Sequence, residues 1–223
     1  SCLYFCFSLM QVGGRLEEHI KQSTGTSFAL TSKQGATPFA LKEAEKVKEL
    51  SGVGAMVPQY ESPVRILGKE AVTGQQSVER DDLGQEAKQA LGAVFNQKTD
   101  QHLDFRSGSF QLVQGKHLSD KDRGQILIHQ ELAKKNKLKV GDSLTLSSFQ
   151  MGETPAKEQT FKIVGIFSGK KQEKFTGMTS DLSENQVYLP YEDATKLLGL
   201  SQQEVTQVTF GVKDPEKIDA LLK

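Results

Sequence analysis

Hydrophobic and polar positions alternate with a period of two over residues 143–149 and 161–167, and recur with a helical period in short stretches elsewhere. Residues 125–128 form a short apolar run suited to a buried strand. Residues 130–136 carry Leu132 and Ala133 among helix formers, and Asn136 is the predicted stop. Residues 140–143 read as a turn in which Gly141 takes a positive φ. Residues 143–149 alternate, with Leu144 and Leu146 on one face. Residues 161–167 place Phe161, Ile163 and Phe167 on one face and Val164 and Ile166 on the other. That pattern suits a strand buried on both faces, or on one face and an edge. Gly165 inside it marks a bulge or a close backbone approach. The middle of the chain is therefore mostly β.

The ends read differently. Residues 27–33 are a short strand with Phe28 and Leu30 on one face. Thr37 and Pro38 look like an N-cap followed by proline at the first helical position. The helix predicted over 38–50 lines up Leu41, Ala44, Val47 and Leu50, with Glu43, Lys46, Lys48 and Glu49 on the wet side. Ser51 and Gly52 stop it. Residues 55–60 and 63–72 are strand material broken by Pro58 and Pro63. Near the other end, residues 205–212 alternate with Val208, Phe210 and Val212 together, and Asp214-Pro215 opens a last helix with Ile218, Leu221 and Leu222 inward. A βα unit at each end implies one split α/β lobe closed by both termini. Between these parts, Ala87, Leu91, Val94 and Phe95 stand at helical spacing and predict a helix over 85–97.

Composition narrows the function. The chain has 223 residues, enough for one or two compact domains. Lysine plus arginine and aspartate plus glutamate each total 28, so the basic excess of a nucleic-acid footprint is missing. The absence of tryptophan weighs against a sugar- or base-stacking surface. Cys2 and Cys6 both lie in the apolar opening stub, so the main domain relies on its core rather than on disulfides. Their spacing admits a metal pair, but no histidine or carboxylate lies nearby in the stub, and small membrane-embedded hydrophobes are the blander reading. Residues 1–12 are too short to span a bilayer alone. They read as the outer end of a transmembrane helix, continued by a polar helical neck over 13–26, or else as an artefactual leader or the remnant of a signal peptide's apolar region.

Catalytic signatures are not legible. His19, His102, His117 and His129 are scattered, and no HExxH, Cys-His spacing, GxSxG or glycine-rich phosphate loop occurs. His129 falls at a strand-to-helix junction, where polar capping is its ordinary role. Asp81-Asp82 admits an acid/base or metal role, but adjacent carboxylates point apart in most backbones and more often favour a helix N-terminus. The reading is non-enzymatic, with no catalytic residue, metal or cofactor assigned.

Four segments carry a resemblance. Gly-Lys-His-Leu at 115–118 precedes Asp120 and Asp122; Ile-Leu-Ile-His-Gln-Glu-Leu-Ala occupies 126–133; Asn-Lys-Leu-Lys-Val-Gly-Asp occupies 136–142; Phe-Lys-Ile-Val-Gly-Ile-Phe occupies 161–167. Residues 185–191 add a strand running into Pro190 and a short helix. In this order the segments resemble the extracytoplasmic domain of MacB/FtsX-type ABC transporter permeases, the streptococcal Vex-type permeases among them. The resemblance implies an α/β (α+β) fold: a split porter-like lobe over 27–72 and 204–223, a linking segment over 73–103, and an inserted, mainly β Sabre-like lobe over 104–203. The family continues past its last helix with another strand, so the porter-like lobe is expected to be truncated at Lys223. The resemblance also implies a cognate ATPase inside the cell, reached through the full-length permease, and a second permease subunit. A membrane fusion protein or an exported peptide are further partners it implies, on the extracytoplasmic side of the membrane of a Gram-positive bacterium. Two other classes stay open: a peptide sensor signalling to a histidine kinase, and an FtsX-like scaffold regulating a cell-wall hydrolase.

The loop over 168–185 is the candidate contact surface. Lys170, Lys171 and Lys174 surround the apolar Phe175 and Met178, a composition that fits a partner or peptide patch. The alternative for the same residues is an ordinary solvated hairpin loop.

Overall fold

The computed structural model describes residues 18–23, 27–32, 37–74, 84, 86–173 and 178–214. The chain forms two compact units: Ser1–Tyr60 with Leu200–Lys223, and Glu61–Gly199. The opening stub with Cys2 and Cys6, Asp81-Asp82, Lys174, Phe175 and the last helix predicted after Asp214 lie outside the described residues.

The first unit is built on antiparallel strands: β1 (Glu18–Ser23), β2 (Ser27–Ser32), β12 (Gln207–Val212) and β4 (Val53–Ile66), paired in that order. Residues 18–23, expected in a helical neck, are therefore strand. With Ile20 as its single apolar residue, this segment offers no stripe to hold a helix, whereas the β2 ladder satisfies its backbone. Phe210 faces Phe28 across the β12–β2 ladder, and their rings stack at 5.2 Å.

Helix α1 (Leu41–Lys48) buries Leu41, Ala44 and Val47 of the predicted stripe, while Leu50 lies past its end and is half-buried. The helix starts three residues later than Pro38. The reason is local: Phe39–Ala40 forms β3, paired with β11 (Glu204–Val205), and the Leu41 amide donates to the Gln203 carbonyl. Those bonds hold Phe39 and Ala40 extended. Strand β4 runs unbroken through Pro58, which faces Val208, and through Pro63. Proline's fixed φ lies inside the extended region, so each ring removes one donor without ending the strand.

The second unit has strand order β5 (Ala90–Asn96), β10 (Gln186–Leu189), β7 (Gln125–His129), β9 (Glu158–Gly169), β6 (Phe110–Gly115). Strand β8 (Ser143–Ser147) pairs with β9 and with Arg65–Ile66 of β4. The sheet is mixed: β10–β5 and β7–β9 are parallel, β10–β7, β6–β9 and β8–β9 antiparallel.

The helix expected over 85–97 is a single 3-10 turn, Ala87–Gln89, followed by β5. Ala90, Leu91, Ala93, Val94 and Phe95 are all buried, so the strand is covered on both faces. A two-sided strand loses the period of two, and chance spacing of its apolar residues mimics a helix.

Strand β9 behaves as its pattern predicts. Residues 163–167 are all buried, and Gly165 does both things expected of it. The β7–β9 register slips between Ile126 and Leu127, which face Ile163 and Gly165. A Cβ on Gly165 would stand 2.5 Å from Leu127 Cδ2 and 2.6 Å from the Lys116 carbonyl oxygen.

Helix α3 (Gln130–Lys135) ends at Asn136 as expected. The Asn136 side chain accepts from the Glu70 amide and donates to the Glu70 carbonyl, and Asn185 grips Val72 in the same two-way manner. These two asparagines replace a β ladder for residues 70–72, which lie beyond the end of β4. The short helices α2 (Leu103–Arg106) and α4 (Asp193–Leu198) complete the unit. Its aromatic core gathers Phe110, Phe167 and Tyr188 with Val94, Leu118, Leu127 and Val164, and Phe105 packs against them.

Candidate functional site

The contact loop leaves β9 at Gly169 and returns at β10. Lys170 is exposed, and Met178 is 48% exposed. Lys171 is half-buried, with its ammonium 3.7 Å from the Asp104 carboxylate. Both ends of the loop are fastened together. The Lys171 amide donates to Ser183 Oγ, and the Ser183 amide donates to the Glu173 carboxylate at 2.7 Å. Residues 174–177, Lys174 and Phe175 among them, are outside the described residues.

The clasp rests on a polar group that the amino-acid pattern does not disclose. Tyr188 donates its hydroxyl to Asp104 Oδ2 at 2.6 Å. Gln186 Nε2 donates to the same oxygen at 3.2 Å and to the Tyr188 hydroxyl at 2.9 Å. Lys171 approaches that oxygen as well, so one carboxylate collects a phenol, an amide and an ammonium. Burial, reinforced by the Asp104 charge and hydrogen bond, pushes the Tyr188 phenol well above its usual 10. Tyr188 is thus a fixed donor.

His102 lies beside this group, nearly buried. Its Nδ1 accepts the Asp104 amide at 3.1 Å and caps α2. The same nitrogen stands 3.4 Å from Asp104 Oδ2, but a nitrogen that accepts an amide proton holds a lone pair, so the neutral ring makes no ion pair there. Burial lowers the His102 pKa below 6.5; the Asp104 charge opposes this and Lys171 reinforces it. His129 caps α3 in the same way, accepting from the Glu131 amide at 3.0 Å, as its junction position predicts. His117 meets Thr99 Oγ1 at 3.0 Å and the edge of Phe105, and burial lowers its pKa despite Asp100.

What this arrangement does is hold. It ties the helix before β6, the β10 strand and the root of the contact loop to one charge. Among the described residues no three histidine, cysteine or carboxylate side chains are placed to hold a metal, and no helix is long and apolar enough to cross a membrane.

A sheet-dominated α/β chain in which one unit is inserted into another defines the architecture. The sequence profile of the MacB-like periplasmic core domain matches residues 5–223, and the chain belongs to that family. The family is a component of ABC transporter permeases. Among curated proteins, the chain is similar to the uncharacterized ABC transporter permease YclI of Bacillus subtilis, 28% identical over 127 residues. That match covers 54% of this chain and 25% of YclI, so it takes in about a quarter of the relative's length. Among solved structures, the periplasmic region of MacB from Actinobacillus actinomycetemcomitans aligns at 13% identity with a TM-score of 0.46, covering 79% of this chain and 65% of that one. The extracellular domain of the noncanonic ABC-type transporter YknZ from Gram-positive bacteria aligns at 13% identity with a TM-score of 0.48, covering 87% and 86%.

Proposed function

We propose that the chain is the extracytoplasmic domain of a permease subunit that couples ATP hydrolysis on a separate cytoplasmic ATPase to export of a substrate such as a peptide. The carrying observation is membership of the MacB-like periplasmic core domain family over nearly the whole chain. The inserted architecture supports it. Two covalent crossings, at Tyr60–Glu61 and Gly199–Leu200, join the units, so a displacement of the first unit pulls on the second at two points. In this reading the first unit is the porter-like lobe and the second the Sabre-like lobe, which takes in the segment 73–103, its strand β5 pairing with β10. A second permease subunit completes the transporter, in the cell membrane of a Gram-positive bacterium, the setting of the Bacillus relative. A membrane fusion protein is a further partner of the same assembly.

The contact loop is the surface assigned to the partner or the exported peptide. Lys170 and Met178 stand exposed there, Lys171 anchors the root, and Lys174 and Phe175 complete the sequence patch. The test uses the full permease reconstituted with its ATPase in vesicles, with residues 61–199 replaced by a Gly-Ser linker long enough to return the chain from Tyr60 to Leu200 without strain. Peptide transport is expected to vanish while ATP hydrolysis persists. Transport unchanged by the deletion overturns the reading. Intact transport with lost histidine-kinase signalling, or with lost hydrolase activation, selects the sensor or the scaffold instead. Alanine at Phe175 and Met178 together is expected to weaken partner or peptide binding, and unchanged binding removes the loop from the proposal.

A further inference from the structure

The second unit ends on an open strand. Among the described residues β6 pairs with β9 and with no other strand. Its inward side chains are taken up by the core: Phe110 is fully buried and Leu112 half-buried. Gln111 and residues 113–116 are exposed, Val113 to 43%. Strand edges of native proteins are commonly blunted by proline, by inward charge or by a covering element. Residues 110–115 contain neither proline nor charge. The device present is a bulge: the register slips between Leu112 and Gln114, which face Phe167 and Ile166, and Val113 is the extra residue. Val113 stands outward by the strand's alternation, and the bulge leaves Gln114 exposed as well.

Charge along the two stretches that carry β6 and most of β9 has one sign. No aspartate or glutamate occurs from Phe105 to Ser119, or from Phe161 to Gln172. Arg106 and Lys116 flank the strand and are exposed, and exposed Lys170 follows Gly169, the residue opposite Phe110. Of the carboxylates that bound these stretches, Asp120 pairs with Lys98 at 3.2 Å and Glu158 is exposed at the far end of β9, while the other two are engaged internally. Asp104 receives Tyr188 and Gln186, and Glu173 receives the Ser183 amide. The open backbone is thus neutral, carries one apolar side chain, and among the described residues has exposed cations at both ends.

We propose that the β6 edge is a docking site for an extended segment of a partner polypeptide, which adds as a strand beside Phe110–Gly115, sets an apolar side chain on Val113 and carries acidic residues at its ends. Backbone hydrogen bonds along the edge supply affinity, and Val113 with the flanking cations supplies selection. A second copy of this chain does not fit on charge, because two such edges bring cations at their ends, Arg106, Lys116 and Lys170, and no carboxylate between Phe105 and Ser119 to meet them. The site is independent of the transport reading: it stands or falls on peptide binding by the chain itself.

The test titrates the full isotope-labelled chain with a synthetic decapeptide of alternating valine and threonine closed by Asp-Glu at each end. A second decapeptide has lysines in place of the acids. The acidic peptide is expected to shift the amides of β6 and to slow their hydrogen exchange, with the lysine peptide at least about tenfold weaker. Val113→Lys is expected to lower affinity for the acidic peptide by about tenfold or more. Should that variant fail to fold, the double variant Arg106→Glu with Lys116→Glu keeps the question open to an answer: it is expected to reverse the preference between the two peptides. Shifts absent from β6, equal binding of both peptides, or an unreversed preference overturns the proposal. So does sedimentation showing a dimer of the chain that Val113→Lys abolishes, since the edge would then belong to a second copy.

Discussion

Asp104 is the residue on which most of the unforeseen chemistry converges. Removing the hydroxyl that reaches it, Tyr188→Phe, leaves a partly buried carboxylate with one donor fewer and leaves Gln186 with Asp104 as its one remaining acceptor of the two. The expected loss of stability is about 1–3 kcal/mol, read from urea unfolding. Asp104→Asn keeps the shape and removes the charge, and is expected to loosen Lys171, seen as faster hydrogen exchange at the root of the contact loop. His102 adds a dependence on pH whose sign follows from its burial. Its folded pKa lies below 6.5, so the unfolded chain takes the proton first. The contribution of the neutral ring is complete above pH 6.5 and is lost as the pH falls through 6.5 toward the folded value. His117 acts in the same direction. His102→Asn retains an acceptor for the Asp104 amide but does not titrate. Its urea midpoint is expected to fall less between pH about 7.5 and about 5.5 than that of the parent chain. An equal fall in both assigns the acid sensitivity elsewhere.

The glycines of β6 and β9 show how far elements were legible before their partners were known. Gly165 interrupts an apolar run, and an interruption of that kind has few explanations, so its bulge and close approach were readable from the chain alone. Gly115 stands opposite it, with φ +74°, and a Cβ there would lie 2.0 Å from the Val164 carbonyl oxygen. Gly115→Ala therefore meets both a disfavoured backbone and a collision. Gly124→Ala meets the backbone penalty alone, since nothing lies within 4 Å of its Cβ. Each is expected to lose about 1–2 kcal/mol for the left-handed backbone, with Gly115→Ala losing more by the cost of moving β6 off β9. Equal losses would show that the ladder gives way freely. Strand β5 marks the opposite limit. Ala87, Leu91 and Val94 satisfy a helical period, and nothing local says that β10 lies parallel beside Gly92 to Phe95. The helix start at Pro38 failed for the same reason: pairing with β11, from the far end of the chain, decides the state of Phe39 and Ala40. His129, by contrast, needs only Glu131 two residues on, and its cap was legible. Asp104 and Tyr188 are 84 positions apart, and no spacing rule connects them. Of the contact loop, the exposure of Lys170 and Met178 agrees with their composition, whereas the turn of Lys171 toward Asp104 depends on that distant pairing.

The insertion of Glu61–Gly199 between the two parts of the first unit sets a constraint that either unit alone would not. A unit entered and left by the chain must form its core from its own residues if it is to act as one body when its host moves. The second unit does so. Phe95, Phe110, Leu127, Ile128, Phe161, Phe167 and Tyr188 are 0% exposed, and all lie between Glu61 and Gly199. The Asp104 group, the clasp at Ser183 and the asparagine grips on Glu70 and Val72 are likewise internal to it. The excised segment 61–199 is therefore expected to fold alone, with amide shifts matching those of the same residues in the whole chain and a single cooperative urea transition. Its β6 edge would remain intact and would bind the acid-capped peptide as the whole chain does. The first unit is expected to behave otherwise when its insert is shortened. Strand β12 comes from beyond the insert, and it sits between β2 and β4. A linker too short to return the chain from Tyr60 to Leu200 without strain removes the middle strand of that sheet rather than an edge. A series of Gly-Ser linkers of increasing length between those residues is expected to show stability rising to a plateau, because closing a longer loop costs little once the ends can meet. Stability that stays flat from the shortest linker onward would mean that β12 is not held by its return path, and that the two crossings do not transmit tension between the units.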